Sequence, residues 1–260
     1  MKKCTPVVTE PLEKRIERGE GVMMMGSCFS TEVGTRLKDD GYNVLLNPFG
    51  ILFNPASICS SLLRMENREP FKASDVITRD GQYCSFFHHG CFRRPTPEEF
   101  LINANDSLKE SAAFFDRCTT VILTFGTAWV FRHLERNLIV SNCHKVPARE
   151  FRRERLEVDE IVEMLSPIME RHSDKRWIFT VSPIRHMADG AHGNQISKAT
   201  LLLAIEELRK RFPDCTGYFP AYEILLDELR DYSWYAEDMV HPSPEAVDRI
   251  YSLFRESATI

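Results

Sequence analysis

A serine, an aspartate and a histidine, far apart in the sequence, could together carry out nucleophilic catalysis. Ser27 lies in MMMGSCFSTEVG, residues 23–34, between a short apolar run and an amphipathic segment. Asp238 and His241 are three residues apart in AEDMVHPSP, shortly before the last predicted helix. A serine hydroxyl becomes a nucleophile when a histidine takes its proton and a carboxylate orients that histidine. These three residue types therefore predict a hydrolytic site if the fold brings them together.

Each part of this pattern also has an ordinary structural interpretation. Ser27 could simply cap the helix that follows it, because serine is a preferred capping residue. Asp238 and His241 could be surface residues of a loop. Cys28 is a rival nucleophile, since a thiol at a helix N-terminus has a lowered pKa. We expect Cys28 to pack inside instead, because it faces a different direction from Ser27 on the turn.

Strands and helices alternate along the chain, which indicates a parallel sheet with helices packed on it. Apolar or β-branched runs predict strands at 22–25, 119–126, 176–183 and 216–220. Apolar residues at helical spacing and helix-stopping residues predict helices at 30–39, 157–171 and 195–211. A last helix is predicted to begin at Pro244, with Ser243 as its capping residue.

Polar residues follow three of these strands, and the carboxyl ends of parallel strands meet at one edge of a sheet. They are Ser27, the pair Gly126 and Thr127, and the segment 182–186. We therefore expect all three clusters to converge on one site. Residues 60–118, with a helix over 98–115, predict a partly helical insertion near that edge. Residues 1–260 are interpreted as a single domain.

The composition excludes several classes of function. The chain has 260 residues, 43% of them hydrophobic, and a formal net charge of −5 with both signs interspersed. This balance argues against nucleic-acid binding. No segment approaches the roughly 20 apolar residues of a membrane span, and no signal peptide is apparent. Eight cysteines without a CxxC pair are typical of free thiols. We expect a cytoplasmic protein that does not bind membranes.

Motifs along nearly the whole chain resemble the GSCFA domain family, and the spacing of Ser27 and the Asp-x-x-His resembles the wider SGNH/GDSL hydrolase superfamily. The matching segments are GSCFS (26–30), NPFGILFNP (47–55), TFGTAWVF (124–131), NCHKVP (142–147), SPIRH (182–186), NQISKATL (194–201), YFPAYEIL (218–225) and EDMVHPS (237–243). The resemblance implies an α/β class fold, a three-layer, flavodoxin-like parallel sheet. It also implies that Ser27 is the nucleophile, His241 the base and Asp238 the orienting acid.

The resemblance leaves one part of the site incomplete. Backbone amides of Ser27 and Gly50 are implied to bind the oxyanion. The superfamily also has a Gly-x-Asn motif, where this chain has Gly126-Thr127-Ala128. Losing one oxyanion donor typically lowers turnover by about 10²–10³. Our hypothesis is that Asn142 or His144 replaces the missing amide.

Further polar residues could bind substrate near the predicted edge. Arg185 could bind a carboxylate or phosphate bidentately, or form an ordinary salt bridge. Lys198 lies near the start of a predicted helix, where anions are favoured. CSFFHHGC, residues 84–91, predicts a wall of the site rather than a metal site, because zinc ligands usually come in two separated pairs. The predicted substrate-binding residues are Thr127, His144, Arg185, His186, Lys198, His88 and His89.

These observations predict a serine ester hydrolase that removes an acyl or acetyl group from a small-molecule or carbohydrate ester and needs no cofactor. The substrate class rests on analogy with the superfamily. An acyltransferase with the same triad is an alternative, in which Arg185, Lys198 and His144 would hold an acceptor or an anionic carrier. A non-catalytic binding protein that keeps the fold is another alternative, and the missing asparagine is the best argument for it.

Overall fold

The computed structural model describes residues 4–9 and 11–260, and these ranges contain ten strands and seven α-helices. The strands are β1 (Gly21–Gly26), β2 (Asn43–Leu46), β3 (Val76–Arg79), β4 (Gln82–Ser85), β5 (Thr120–Phe125), β6 (Trp129–His133), β7 (Leu138–Val140), β8 (Phe151–Arg155), β9 (Arg176–Val181) and β10 (Thr216–Tyr218). The helices are α1 (Cys28–Asp39), α2 (Pro55–Asn67), α3 (Pro97–Arg117), α4 (Val158–Arg171), α5 (Gly190–Arg211), α6 (Ala221–Glu223) and α7 (Pro244–Ala258).

A five-stranded parallel sheet forms the centre of the fold. Its strands lie in the order β2–β1–β5–β9–β10, and every neighbouring pair is parallel. Counted along the chain within this sheet, the order is 2-1-3-4-5, which is the flavodoxin-like order. The predicted α/β fold with a parallel sheet is therefore confirmed, and the four predicted strands are β1, β5, β9 and β10.

Helices cover both faces of the sheet, which explains why its strands are almost continuously apolar. Successive residues of a strand point to opposite faces. In β1, Met23 and Met25 join the core that contains the buried faces of α3, α4 and α5. Val22 and Met24 join the core that contains α1 and α7. The result is a three-layer structure with the sheet in the middle.

The N-terminus of α7 confirms the prediction made from its capping residue. The Ser243 hydroxyl accepts a hydrogen bond from the main-chain N–H of Ala246 at 3.2 Å, and Pro244 occupies the first helical position. Proline fits there because its missing N–H would have no partner within the helix. Among the helices of the described residues, none is long and apolar enough to cross a membrane.

The prediction of an insertion at 60–118 is wrong in part. Helix α3 packs Phe100, Leu108 and Phe115 into the main core, so it belongs to a helical layer of the sheet. Only the β3–β4 hairpin and its flanking loops lie apart from the parallel sheet. A second elaboration, the antiparallel sheet β7–β6–β8, follows β5 and was not predicted as a unit.

Candidate active site

Ser27 occupies the sharp turn between β1 and α1. Gly26 precedes it with a φ of +149°, and a Cβ on Gly26 would lie 2.2 Å from the carbonyl oxygen of Thr124. Only glycine fits this close approach. The Ser27 hydroxyl makes no capping hydrogen bond to α1, although the residue is at the N-cap. Capping therefore does not account for this hydroxyl.

The Ser27 side chain is buried and, within residues 4–9 and 11–260, its Oγ has no hydrogen-bond partner. Such an unpaired buried hydroxyl is uncommon, because an unmade hydrogen bond costs about 1–3 kcal/mol. Ser27 also lies at a particular point of the sheet. β1 and β5 are neighbours where the strand order reverses, and ligands of open α/β sheets bind at that point.

Asp238 and His241 form a tightly hydrogen-bonded pair. Asp238 Oδ2 lies 2.6 Å from Nδ1 of His241, while Oδ1 accepts the main-chain N–H groups of Val240 and His241, each at 2.9 Å. Hydrogen bonds from the main-chain N–H of His241, from its ring and from the main-chain N–H of Val240 lower the pKa of Asp238 to about 2. The carboxylate is therefore ionised at neutral pH and orients the imidazole through Nδ1.

Arg185 anchors the loop that carries this pair. Its main-chain N–H donates to the carbonyl of Val240 at 3.1 Å, and its guanidinium donates to the carbonyl of Met239 at 3.0 Å. The guanidinium also lies over the ring of Tyr235, 5.3 Å from the centroid. These hydrogen bonds fix the loop of His241 beside the segment that follows β9, and Arg185 as a substrate-binding residue stays a prediction.

The three predicted triad residues border the same edge of the sheet, but the serine and the histidine are not hydrogen-bonded. Ser27 follows β1, and the His241 loop lies on residues 185–186, which follow β9. The hydroxyl of Ser27 has no partner among the described residues, so it makes no bond to His241. Catalytic hydrogen bonds are often long in unliganded enzymes and tighten when substrate binds.

Lys198 is buried in α5 and does not reach solvent. Its ammonium donates to the carbonyl oxygens of Gly126 and Ser182, both at 2.7 Å. Burial lowers its pKa to about 7. The predicted anion-binding role is corrected, because both hydrogen bonds hold together the chain segments that leave β5 and β9.

His88 and His144 lie away from the predicted site. The His88 ring is enclosed by the rings of Phe71, Phe92 and Phe100, its Nδ1 lies 2.7 Å from Ser85 Oγ, and burial lowers its pKa to about 3. His144 is also buried, with Nε2 2.7 Å from the Ser85 carbonyl oxygen. These bonds are structural, so the substrate-binding predictions for both residues are corrected, as is His144 as an oxyanion donor.

His89 is half-buried next to Gly50, where a Cβ on Gly50 would come within 2.4 Å of the His89 Cβ. Its Nδ1 accepts the main-chain N–H of Cys91 at 3.4 Å, and burial lowers the pKa of the ring. Within the described ranges, no group of three or more His, Cys, Asp or Glu side chains is placed to hold a metal ion. His89 as a substrate-binding residue stays a prediction.

The main-chain donors predicted for the oxyanion are already used within the chain. The Ser27 N–H donates to Thr124 at 3.2 Å, and the Gly50 N–H donates to Asn47 at 2.8 Å. Both predictions are corrected, because an N–H in such a bond is not available to a substrate oxygen. The Ala128 N–H, at the position of the missing asparagine, donates to Ser197 Oγ at 2.8 Å.

A cleft of about 370 Å³ opens beside this edge of the sheet, and sequence reasoning missed most of its wall. The aromatic rings of Trp129 and Phe131, on β6, lie beneath the guanidinium of Arg153, on β8, at 5.0 and 5.4 Å. The antiparallel sheet positions all three. The alternation in WVFRH could have indicated a half-buried strand.

Three predicted residues do line this cleft: Thr127, Asn142 and His186. Thr127 Oγ1 lies 3.0 Å from Ser197 Oγ, and Asn142 Oδ1 accepts the main-chain N–H of His144 at 2.8 Å. Asn142 as an oxyanion donor and Thr127 as a substrate contact stay predictions. His186 and Ser27 both lie close to Gly126. A Cβ on Gly126 would lie 3.3 Å from His186 Nε2 and 3.5 Å from Ser27 Cβ.

Cys28 is half-buried at the first position of α1. Burial raises the pKa of its thiol, which opposes the lowering expected at a helix N-terminus. A thiol with a raised pKa is poorly ionised at neutral pH, so the geometry favours Ser27 over Cys28 as the nucleophile.

The fold is an α/β protein with a flavodoxin-like parallel sheet, a serine at its reversal point and an Asp–His pair beside the same edge. The sequence matches the GSCFA family over residues 21–254. The match spans most of the chain, so the protein belongs to the GSCFA family. No match to the sequence was found among curated proteins.

Several solved structures are similar to this chain, all at low sequence identity. A GDSL-like lipase from Bacteroides thetaiotaomicron is 14% identical, with 91% of this chain and 86% of that chain covered and a TM-score of 0.40. A carbohydrate esterase family 2 enzyme with a carbohydrate-binding domain, from Corynascus thermopiles (Myceliophthora fergusii), is 11% identical, with 97% and 67% covered and a TM-score of 0.43. An α/β hydrolase from the metagenome of Lake Arreo, Spain, is 13% identical, with 93% and 96% covered and a TM-score of 0.41.

Proposed function

We propose that the protein is a serine ester hydrolase in which Ser27 is the nucleophile, His241 the general base and Asp238 the group that orients His241. One observation carries the proposal. The Asp238–His241 pair is hydrogen-bonded at 2.6 Å and lies beside the carboxyl ends of the strands. At the same edge, the buried Ser27 hydroxyl lies at the reversal point of the sheet and has no hydrogen-bond partner in the described residues. The pair leaves Nε2 of His241 as the nitrogen that accepts the serine proton.

The reaction then follows the usual course of acyl transfer to serine. Ser27 Oγ attacks the ester carbonyl carbon while its proton passes to His241. The tetrahedral intermediate collapses, the leaving alcohol takes that proton from His241, and an acyl-serine remains. Water, activated by His241, attacks the acyl-serine and releases the acid. Asp238 stabilises the charged imidazolium in both halves without itself becoming protonated.

The surroundings of Ser27 favour a short acyl group. The position that a Cβ on Gly126 would take lies 3.0 Å from the Phe53 carbonyl oxygen and 3.5 Å from Ser27 Cβ. The main chain is therefore close-packed at this point beside Ser27, which disfavours a bulky acyl group there. Acetyl esters are therefore the proposed substrates, with the alcohol part of the ester in the neighbouring cleft.

The cleft favours a neutral, ring-shaped alcohol. Its wall carries the rings of Trp129 and Phe131, and the charge of Arg153 is balanced by an ion pair with Asp189. Aromatic faces bind apolar surfaces, and a few polar groups around them fix orientation. Acetylated sugars present both an apolar ring face and hydroxyl groups, so we place a carbohydrate ester in this cleft.

Transfer to an anionic carrier is a weaker proposal than hydrolysis. It would need free cations near the site, yet Lys198 is buried and donates to two main-chain carbonyl oxygens, and His144 is buried. A buried, committed donor cannot also bind a carrier phosphate without losing its present bonds.

The test is covalent labelling with a fluorophosphonate probe, combined with turnover of p-nitrophenyl acetate and p-nitrophenyl octanoate. We expect one adduct, located on Ser27 by mass spectrometry, and faster hydrolysis of the acetate than of the octanoate. Ser27→Ala should abolish labelling and reduce kcat by about 10⁴ or more. An adduct on Cys28, or none in the folded protein, would contradict the proposal.

Ser30→Ala is the matched control for this test. Ser30 is a second buried serine, three residues after Ser27, and its hydroxyl also lacks a hydrogen-bond partner in the described residues. It lies within α1 rather than at the strand–helix turn. Labelling and turnover should therefore survive in this variant, and their loss would point to general damage of the helix instead of a nucleophile at position 27.

A further inference from the structure

The two main-chain donors predicted for the oxyanion are engaged within the chain, and the side-chain amide of Asn142 stays a prediction. The main-chain N–H groups of Ser27 and Gly50 are already bonded, and Ala128 has no polar side chain. A tetrahedral intermediate places a full negative charge on the former carbonyl oxygen, and donors aimed at that charge are usually the largest single contribution to catalysis. If Ser27 is a nucleophile, another group must supply such a donor.

His186 carries an unpaired nitrogen at the right place. Nε2 of His186 is buried and has no hydrogen-bond partner in residues 4–9 and 11–260, as is true of Ser27 Oγ. The two side chains flank the same backbone position, since a Cβ on Gly126 would be 3.3 Å from His186 Nε2 and 3.5 Å from Ser27 Cβ. Two unpaired buried groups so close together indicate a shared ligand rather than two separate defects.

We infer that the Nε2–H of His186 donates a hydrogen bond to the oxyanion and thereby replaces the amide that is missing at Ala128. This inference rests on the proposed esterase function. When Ser27 Oγ bonds to the carbonyl carbon, the electron pair of the C=O double bond moves to oxygen, and the N–H of His186 stabilises that charge. The proton of His186 stays on Nε2 throughout, and the serine proton goes to His241.

The ring of His186 is held in position from several sides. Its main-chain N–H donates to Asn194 Oδ1 at 2.9 Å, which ties the segment after β9 to α5. The ring packs edge-on against Phe53, with centroids 6.1 Å apart. Glycine at 126 leaves the room into which Nε2 points. A preorganised donor of this kind needs no rearrangement at the moment of reaction.

The protonation state of His186 suits a donor better than a base. Burial, and then the charges of Lys198, His241 and Arg153, lower its pKa to about 4. The ring is therefore neutral near pH 7 and carries one N–H. Within the described ranges no carboxylate pairs with His186, whereas His241 is paired with Asp238. The two histidines thus have different roles: His241 is the general base, and His186 donates a hydrogen bond to the oxyanion.

The test compares His186→Gln with His186→Met in the full chain, with Ser27→Ala alongside. Glutamine keeps an N–H near the position of Nε2, and methionine has similar length without a donor. We expect Met to lower kcat for p-nitrophenyl acetate by about 10²–10³, with KM changed by less than a few-fold. Gln should recover at least tenfold of that loss, and the acid limb of the pH–rate profile should not move in either variant.

Three results would overturn the inference. If Gln and Met lose kcat equally and the acid limb shifts, His186 is the base. If only KM or thermal stability changes, it is a structural residue. If the wild-type protein neither hydrolyses the ester nor labels at Ser27, the proposed function itself fails and takes this inference with it. Circular dichroism of each variant verifies that the comparison is made on folded protein.

Discussion

The amino ends and the carboxyl ends of the parallel strands differ in how their buried polar groups are paired. At the amino ends, the guanidinium of Arg176 donates to Thr120 Oγ1 and to Glu20, at 2.9 and 2.6 Å from one nitrogen. Lys175, beside it, donates to the carbonyl of Cys118 at 2.9 Å. The polar side chains at this end are thus bound to groups of the protein itself.

At the carboxyl ends, the main chain is also hydrogen-bonded, but several buried side-chain atoms of the described residues are not. The Lys198 ammonium donates to the carbonyl oxygens of Gly126 and Ser182. Lys175 donates in the same way to a main-chain carbonyl oxygen at the amino ends. In the part of the chain that the structure describes, Ser27 Oγ and His186 Nε2 remain without partners. The two ends therefore share a scaffold of buried lysines, and the difference lies in the groups left free for a ligand.

The largest effect is expected from the residue that orients His241. Asp238→Asn should reduce kcat by about 10⁴, because the amide stabilises neither the required tautomer nor the imidazolium. The matched change at the amino ends, Glu20→Gln, weakens a surface-proximal ion pair with Arg176 and should leave kcat unchanged. Steady-state kinetics with p-nitrophenyl acetate measures both. Equal activity of the Asn variant and the wild type would remove Asp238 from the mechanism.

A second comparison adds one methyl group at each end of the sheet. A Cβ on Gly126 would lie 3.0 Å from the Phe53 carbonyl oxygen, and a Cβ on Gly21, at the start of β1, would lie 3.0 Å from Cys118 Cα. Both alanine variants should lose about 1–3 kcal/mol in free energy of unfolding.

Only Gly126→Ala should also lose activity, by about 10², because its methyl group displaces reacting groups near Ser27. Urea denaturation and kinetics on both variants separate the two effects. The comparison breaks down if Gly21→Ala is as inactive as Gly126→Ala while still folded, since the effect would then be transmitted through the whole sheet.

Most strands of the parallel sheet and most of its helices could be predicted from the sequence, because local residue patterns determine them. β5 and β9 are buried on both faces and read as unbroken apolar runs. α7 begins at a capping serine followed by proline. The antiparallel sheet β6–β8 was missed because its strands are short, and because one of them, FRRER, carries charges on a partly exposed face.

The roles of single polar residues depended on contacts that no local pattern contains. Arg185 and Lys198 are charged residues near the predicted site, and sequence alone is compatible with a ligand for each. In the structure each donates to main-chain carbonyl oxygens from distant segments. The triad could be proposed from sequence, because its chemistry demands a fixed set of residue types, but the pairing of cations with carbonyls depends on the tertiary fold.

The smallest effect is a pH dependence of stability that arises from the buried Lys198. The pKa of Lys198 falls from 10.5 to about 7 on folding, because burial disfavours its charged form. Between these two values the unfolded chain binds more protons than the folded one, so the free energy of unfolding rises with pH there. Below pH 7 both states are protonated and the burial penalty is constant.

Lys198→Met removes this titration. The free energy of unfolding of the wild type, minus that of the variant, should therefore increase by up to about 1.4 kcal/mol per pH unit above pH 7. Groups that titrate in both proteins, such as the buried cysteines, cancel in that difference. Lys175→Met, which also removes a buried donor to the main chain, should lower stability and leave the turnover of p-nitrophenyl acetate unchanged. Urea denaturation at pH 7 and at pH 9 gives the difference. A constant stability gap between wild type and Lys198→Met would mean that Lys198 keeps its proton in the folded protein, held by the two carbonyls it binds.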